Sequence, residues 1–91
     1  MSVETLLREN KGTVVDVRSA GEFMGGNVAG SVNIPLQELE ERLAELKGLN
    51  QPLILCCASG NRSGMAQQIL SSFEIECYNG GGWMDVNFYK N

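Results

Sequence analysis

Leu53-Ile54-Leu55-Cys56-Cys57-Ala58-Ser59-Gly60-Asn61-Arg62-Ser63-Gly64 is the stretch that decides the architecture. Leu53 to Cys56 is continuously apolar, as in a short strand covered on both faces. Cys57 to Arg62 is small and polar and reads as a loop. From Ser63 to Phe73 apolar residues return at helical spacing, with Met65, Ala66, Ile69, Leu70 and Phe73 facing inward. A buried strand that runs through a short loop into a helix is one half of a parallel β-α-β unit.

The flanks repeat that alternation. Ser2 is placed to cap a helix reaching about Asn10, with Val3, Leu6 and Leu7 inward, and Lys11-Gly12 stops it. Thr13 to Val17 is β-branched and reads as a strand. Ser19 to Met24 is a short helix broken by Gly25-Gly26. Ser31 to Ile34 is a short strand ending at Pro35. Leu36, Leu39, Leu43 and Leu46 predict an amphipathic helix over 37–46 that packs on the sheet. Glu74 to Tyr78 is the last strand, and Asn79 to Gly82 turns the chain into Trp83 and a short tail, the glycines supplying positive φ. The class is α/β, with a central, mainly parallel sheet of four to five strands flanked by helices. Ligands gather at the carboxyl ends of such strands, where Asp16, Arg18 and Cys57 stand.

Ninety-one residues make one small domain, 1–91. No apolar run approaches the ~18–20 residues of a membrane helix. Met1 to Asn10 carries charges and no signal-peptide core, so a cytoplasmic location is expected. The net charge of −4 and seven scattered basic residues argue against nucleic acid. There is no histidine, which excludes Cys-His and Ser-His-Asp catalysis and histidine metal sites. Three cysteines, two of them adjacent, make no disulfide framework, and reduced thiols are expected. No metal or other cofactor is expected.

The loop after Cys57 points its successive amides inward as an anion-binding nest. The helix beginning near Ser63 adds a positive N-terminal end and Arg62 a fixed charge. A thiol in that cradle ionises below the ~8.5 of a free cysteine, so Cys57 needs no histidine to act as a nucleophile.

Four segments in order along nearly the whole chain resemble the rhodanese family of sulfurtransferases. They are Val15-Asp16-Val17-Arg18 with Glu22-Phe23, Gly26-Asn27-Val28-Ala29-Gly30-Ser31-Val32-Asn33-Ile34-Pro35, Cys57-Ala58-Ser59-Gly60-Asn61-Arg62-Ser63, and Gly80-Gly81-Gly82-Trp83. The resemblance implies a rhodanese-like three-layer fold. It also implies a persulfide on Cys57, cradled by Ala58, Ser59, Gly60, Asn61, Arg62 and Ser63. Sulfur would pass from thiosulfate or a persulfide donor to a thiol or cyanide acceptor, or to a sulfur-accepting protein. Two departures stand out. Asn27 occupies a position that is often histidine, and Ala58 one that is often arginine, which removes a charge that would attract thiosulfate.

Other readings coexist. Cys56 and Cys77, inside apolar strands, read as packing residues. Counted from Cys56, the spacing Cys-x5-Arg-Ser is that of Cys-dependent phosphatases and some arsenate reductases. A rhodanese-like module that docks a partner without chemistry is a further alternative. Asp16 and Arg18 either support the field over Cys57 or are structural, Asp16 capping amides and Arg18 pairing with Glu22. Trp83 reads as core or pocket wall.

Overall fold

The computed structural model describes residues 2–91. Ser2 caps helix α1 (Val3–Arg8), its Oγ accepting the Thr5 N–H at 3.1 Å. Strand β1 (Thr13–Asp16) follows, then helix α2 (Ala20–Met24), which opens on a capping box between Ser19 and Glu22. Strand β2 (Val32–Asn33) precedes two short 3-10 turns, Leu36–Glu38 and Glu40–Arg42, and helix α3 (Leu43–Lys47). Strand β3 (Leu53–Cys57), helix α4 (Asn61–Ser72), strand β4 (Cys77–Gly82) and helix α5 (Trp83–Lys90) complete the chain. The sheet order is β2-β1-β3-β4 and every neighbouring pair is parallel.

β3 is central and buried throughout, which explains its unbroken apolar run. Its side chains alternate between two cores. Leu53, Leu55 and Cys57 join Leu39, Leu46, Ala66 and Leu70 on one face. Ile54 and Cys56 join Leu6, Leu7, Val28 and Val86 on the other. The adjacent cysteines therefore lie on opposite sides of the sheet.

Several elements differ from the sequence reading. The helix expected over 37–46 is two 3-10 turns and a five-residue α-helix. A spacing of three suits a 3-10 turn as well as an α-turn, and the chain still buries Leu39 and Leu46 completely. α4 starts two residues earlier than expected, at Asn61. On it Ala66 and Leu70 are buried, whereas Met65 is exposed, as is Phe73 just beyond its end.

The last strand is shifted. It runs over Cys77–Gly82, so the glycines expected to turn the chain are strand residues, and the expected tail is α5. Of Gly80, Gly81 and Gly82, only Gly81 has positive φ, at 85°. Gly80 is needed for space. A Cβ there would lie 2.8 Å from Ile54 Cγ2 and 2.9 Å from Val86 Cγ2. The β3–β4 register slips between Leu55↔Asn79 and Cys56↔Gly81, a bulge at Gly80.

Candidate active site

Cys57 is the last residue of β3, and the polypeptide folds back over its sulfur before entering α4. Gly60 makes the reversal, with φ of 104° as the α4 N-cap. The Gly60 N–H donates to Cys57 Sγ at 3.0 Å and the Ser63 N–H at 3.4 Å. Ser63 Oγ lies 3.4 Å from the same sulfur. Burial pushes the thiol up. The Ser63 hydroxyl and the Ser63, Gly60 and Ser59 amides outweigh it and hold the thiol down at about 7. The thiol lies on the floor of its cradle, with Cys57 only 1% exposed.

Ala58 and Asn61 are exposed on the rim. Arg62 does not present a free charge. Its guanidinium makes a two-pronged ion pair with the Glu22 carboxylate at 2.7 and 2.9 Å. The Arg62 hydrogen bonds, followed by the Ser19 amide, hold Glu22 at about 2. This pair ties α2 to the first turn of α4.

Arg18 pairs with Asp16, not with Glu22. Its Nε reaches both Asp16 oxygens at 3.0 Å and its Nη2 reaches Oδ2 at 2.7 Å. It also donates to the Gly26 carbonyl at 2.6 Å and lies 4.8 Å from the Trp83 ring centroid. Asp16 Oδ1 accepts the Arg18 backbone N–H, the capping role read from the sequence. Both residues are buried.

Cys56 faces the other core, is wholly buried and is pushed up to about 12, chiefly by burial and then by the Asp16 charge. The Gly60 and Ser63 amides point at Cys57 rather than at Cys56, so the geometry of a loop organised on Cys56 is not met. Burial likewise raises Cys77. All three cysteines are free. Among the described residues no group of three or more histidine, cysteine, aspartate or glutamate side chains is placed to hold a metal ion. A cleft of about 520 Å³ lies beside Gly12, Pro52 and Glu76, at the amino ends of the strands and away from this loop.

Asn79 is the site residue that sequence reasoning missed. Its Oδ1 accepts from Ser63 Oγ at 2.7 Å and from the Gly81 N–H at 2.9 Å, and its Nδ2 donates to the Gly60 carbonyl at 3.1 Å. Reading residues 79–82 as a turn hid it, because only a strand beside β3 brings Asn79 under the loop.

The Gly60 and Ser63 amides thus converge on the Cys57 thiol, on a loop between a parallel strand and a helix. The Rhodanese-like domain profile matches residues 2–87. The chain belongs to this family. It is 35% identical over 78 residues to the thiosulfate sulfurtransferase PspE of Escherichia coli, an alignment covering 84% of this chain and 75% of PspE. It is 42% identical over 60 residues to the uncharacterized protein YqhL of Bacillus subtilis, covering 66% of this chain and 47% of YqhL. The reduced Bacillus anthracis CoADR-RHD structure superimposes with a TM-score of 0.78 at 30% identity, covering 96% of this chain and 15% of that one. This rhodanese-like chain thus spans about half of YqhL and a small part of CoADR-RHD. Among the described residues no helix is long and apolar enough to cross a membrane.

Proposed function

We propose that this rhodanese-like chain is a cytoplasmic sulfurtransferase that carries sulfane sulfur as a persulfide on Cys57. The observation that carries the reading is the convergence of the Gly60 and Ser63 amides on Cys57 Sγ. The thiolate attacks the outer sulfur of thiosulfate or of a small persulfide. A bond forms between Cys57 Sγ and that sulfur, and the donor's S–S bond breaks. Sulfite or a thiolate leaves with the electron pair. An acceptor thiolate or cyanide then attacks the terminal sulfur and releases the Cys57 thiolate. Two displacements through a covalent intermediate predict ping-pong kinetics. Cys57, Ser59, Gly60 and Ser63 hold the sulfur, Ala58 and Asn61 form the rim, and Arg62 and Glu22 brace the loop. Asp16 and Arg18 support the site from beneath.

With Arg62 engaged by Glu22 and Ala58 uncharged, the loop offers little unpaired positive charge to a dianion. That favours a persulfide of lower charge over thiosulfate as the better donor.

Intact mass after incubation with thiosulfate or glutathione persulfide tests the proposal. The expected result is a gain of one sulfur, about 32 Da, lost on adding a thiol reductant. Cys57→Ser abolishes the gain and Cys56→Ser keeps it. A Cys57→Ser protein that still loads sulfur would overturn the assignment. The near-complete burial of Cys57 favours a second reading, a docking module without chemistry. No mass gain with either donor is its signature.

A further inference from the structure

The hydroxyl of Ser63 has one hydrogen and two acceptors within reach. Ser63 is wholly buried, so solvent does not serve that hydrogen. Asn79 Oδ1 lies 2.7 Å from the hydroxyl and Cys57 Sγ 3.4 Å. The orientation of the Asn79 amide is fixed by its other partners. Its oxygen faces the Gly81 N–H and its nitrogen faces the Gly60 carbonyl, and a flipped amide would set donor against donor and acceptor against acceptor. Asn79 Oδ1 can only accept, so the Ser63 hydrogen points to it. In the thiol form, the Cys57 S–H is then the donor across the 3.4 Å contact with Ser63 Oγ.

Ionisation changes the competition. The thiolate now wants a hydrogen from Ser63, and the hydroxyl must leave a short bond to Asn79 to supply it. We propose that Asn79 is a positioning residue for the sulfur chemistry: it competes with the Cys57 sulfur for the single hydrogen of Ser63 and so limits how many hydrogen bonds that sulfur receives.

The chemical consequence is a matter of balance. A thiolate with fewer hydrogen bonds is more basic, and nucleophilicity rises with basicity at a Brønsted slope of ~0.4–0.5. The amides of Gly60 and Ser63 secure ionisation, and Asn79 keeps the anion from being quenched by a further donor. The charged and titratable groups around the sulfur are Cys56 behind it on β3 and Arg62 on α4, paired with Glu22 of α2. The Asp16–Arg18 pair lies at the end of β1, and Asp85 of α5 lies beside Gly82. None of these is altered by substitution at position 79.

The inference rests on Cys57 as the nucleophile, but its test does not need sulfur transfer. Iodoacetamide alkylation is followed across pH by intact mass, with Cys57→Ser as the control for site. Asn79 is exposed, so Asn79→Leu keeps the side-chain bulk without touching the core. The freed hydroxyl turns to sulfur. The alkylation midpoint then falls by roughly 0.5–1 pH unit and the plateau rate constant by roughly twofold. In a Ser63→Ala background the same Asn79→Leu change shifts neither. A loosened loop would instead raise the midpoint in both backgrounds. An unchanged or raised midpoint in the Asn79→Leu single variant overturns the proposal, as does a downward shift that persists without the Ser63 hydroxyl. Failure of sulfur loading with this alkylation pattern intact would sink the transfer reaction and leave the Asn79 role standing.

Discussion

Two adjacent thiols differ because one peptide step in a strand reverses the direction of the side chain. Cys57 meets the amides of the loop and Cys56 meets a closed apolar core, and the two are held at about 7 and about 12. The thiolate is the reacting form, so Cys57 reactivity should rise as pH passes through about 7 and level off above it. Cys56 should stay silent across the same range. Rapid alkylation at graded pH, read by mass, checks both. A Cys57 midpoint near the ~8.5 of a free thiol would mean that the cradle does not act on the sulfur. This contrast was half legible in the sequence. The small loop residues and the following helix singled out Cys57, and the apolar run marked Cys56 as packing. The 1% exposure of Cys57 was not legible, because it depends on how tightly Gly60 folds the loop back over the strand. The neutralisation of Arg62 was equally hidden, since Glu22 is forty residues away in sequence.

At the scale of elements, the parallel sheet was readable because its two inner strands, β1 and β3, are β-branched or apolar runs and helical spacing recurs between strands. What the pattern could not reveal was the end of the chain. Three consecutive glycines read locally as a turn, yet here they are strand residues, and at Gly80 β4 passes close to its neighbours. Gly80 carries no side chain because Ile54 and Val86 occupy the space, and the bulge beside it shifts Gly81 against the loop. Glycine in a strand often marks such a close approach. Gly80→Ala would place a methyl group 2.8 Å from Ile54 Cγ2 and 3.1 Å from the Leu55 carbonyl. Overpacking of this kind costs about 1–3 kcal/mol, so urea unfolding should show a lower midpoint at unchanged slope. Gly81→Ala tests a different cause, since nothing lies within 4 Å but φ is 85°. Its cost should come from backbone strain, about 1–2 kcal/mol, with the core undisturbed. Equal stability of wild type and Gly80→Ala would show that β4 sits further from β3 than the structure places it.

Across the whole molecule, the Asp16–Arg18 pair joins parts that the sequence keeps separate. Asp16 ends β1, Arg18 reaches the Gly26 carbonyl beyond α2, and its guanidinium lies by Trp83 at the start of α5. Asn33 of β2 closes the same corner by donating to the Asp16 and Arg18 carbonyls at 3.0 Å. One buried cation thus spans the carboxyl end of the sheet on the face opposite the Cys57 side chain. Two roles are open to such a pair: a brace for the fold, or a source of positive field for the sulfur. The geometry favours the brace, because Arg18 is engaged by Asp16 and Gly26 and its charge acts on Cys56. Removing one partner of a buried pair strands the other charge and costs about 3–5 kcal/mol. A domain of this size has only about 5–13 kcal/mol in hand, so Asp16→Asn should lower Tm by roughly 12–40 °C. The double change Asp16→Leu with Arg18→Met removes both charges and should recover most of that loss. If the pair is a brace, Asp16→Asn protein that remains folded in the cold keeps the wild-type pH midpoint for Cys57 alkylation. A midpoint displaced by a full unit, with stability barely changed, would make Asp16 and Arg18 part of the sulfur's electrostatics instead.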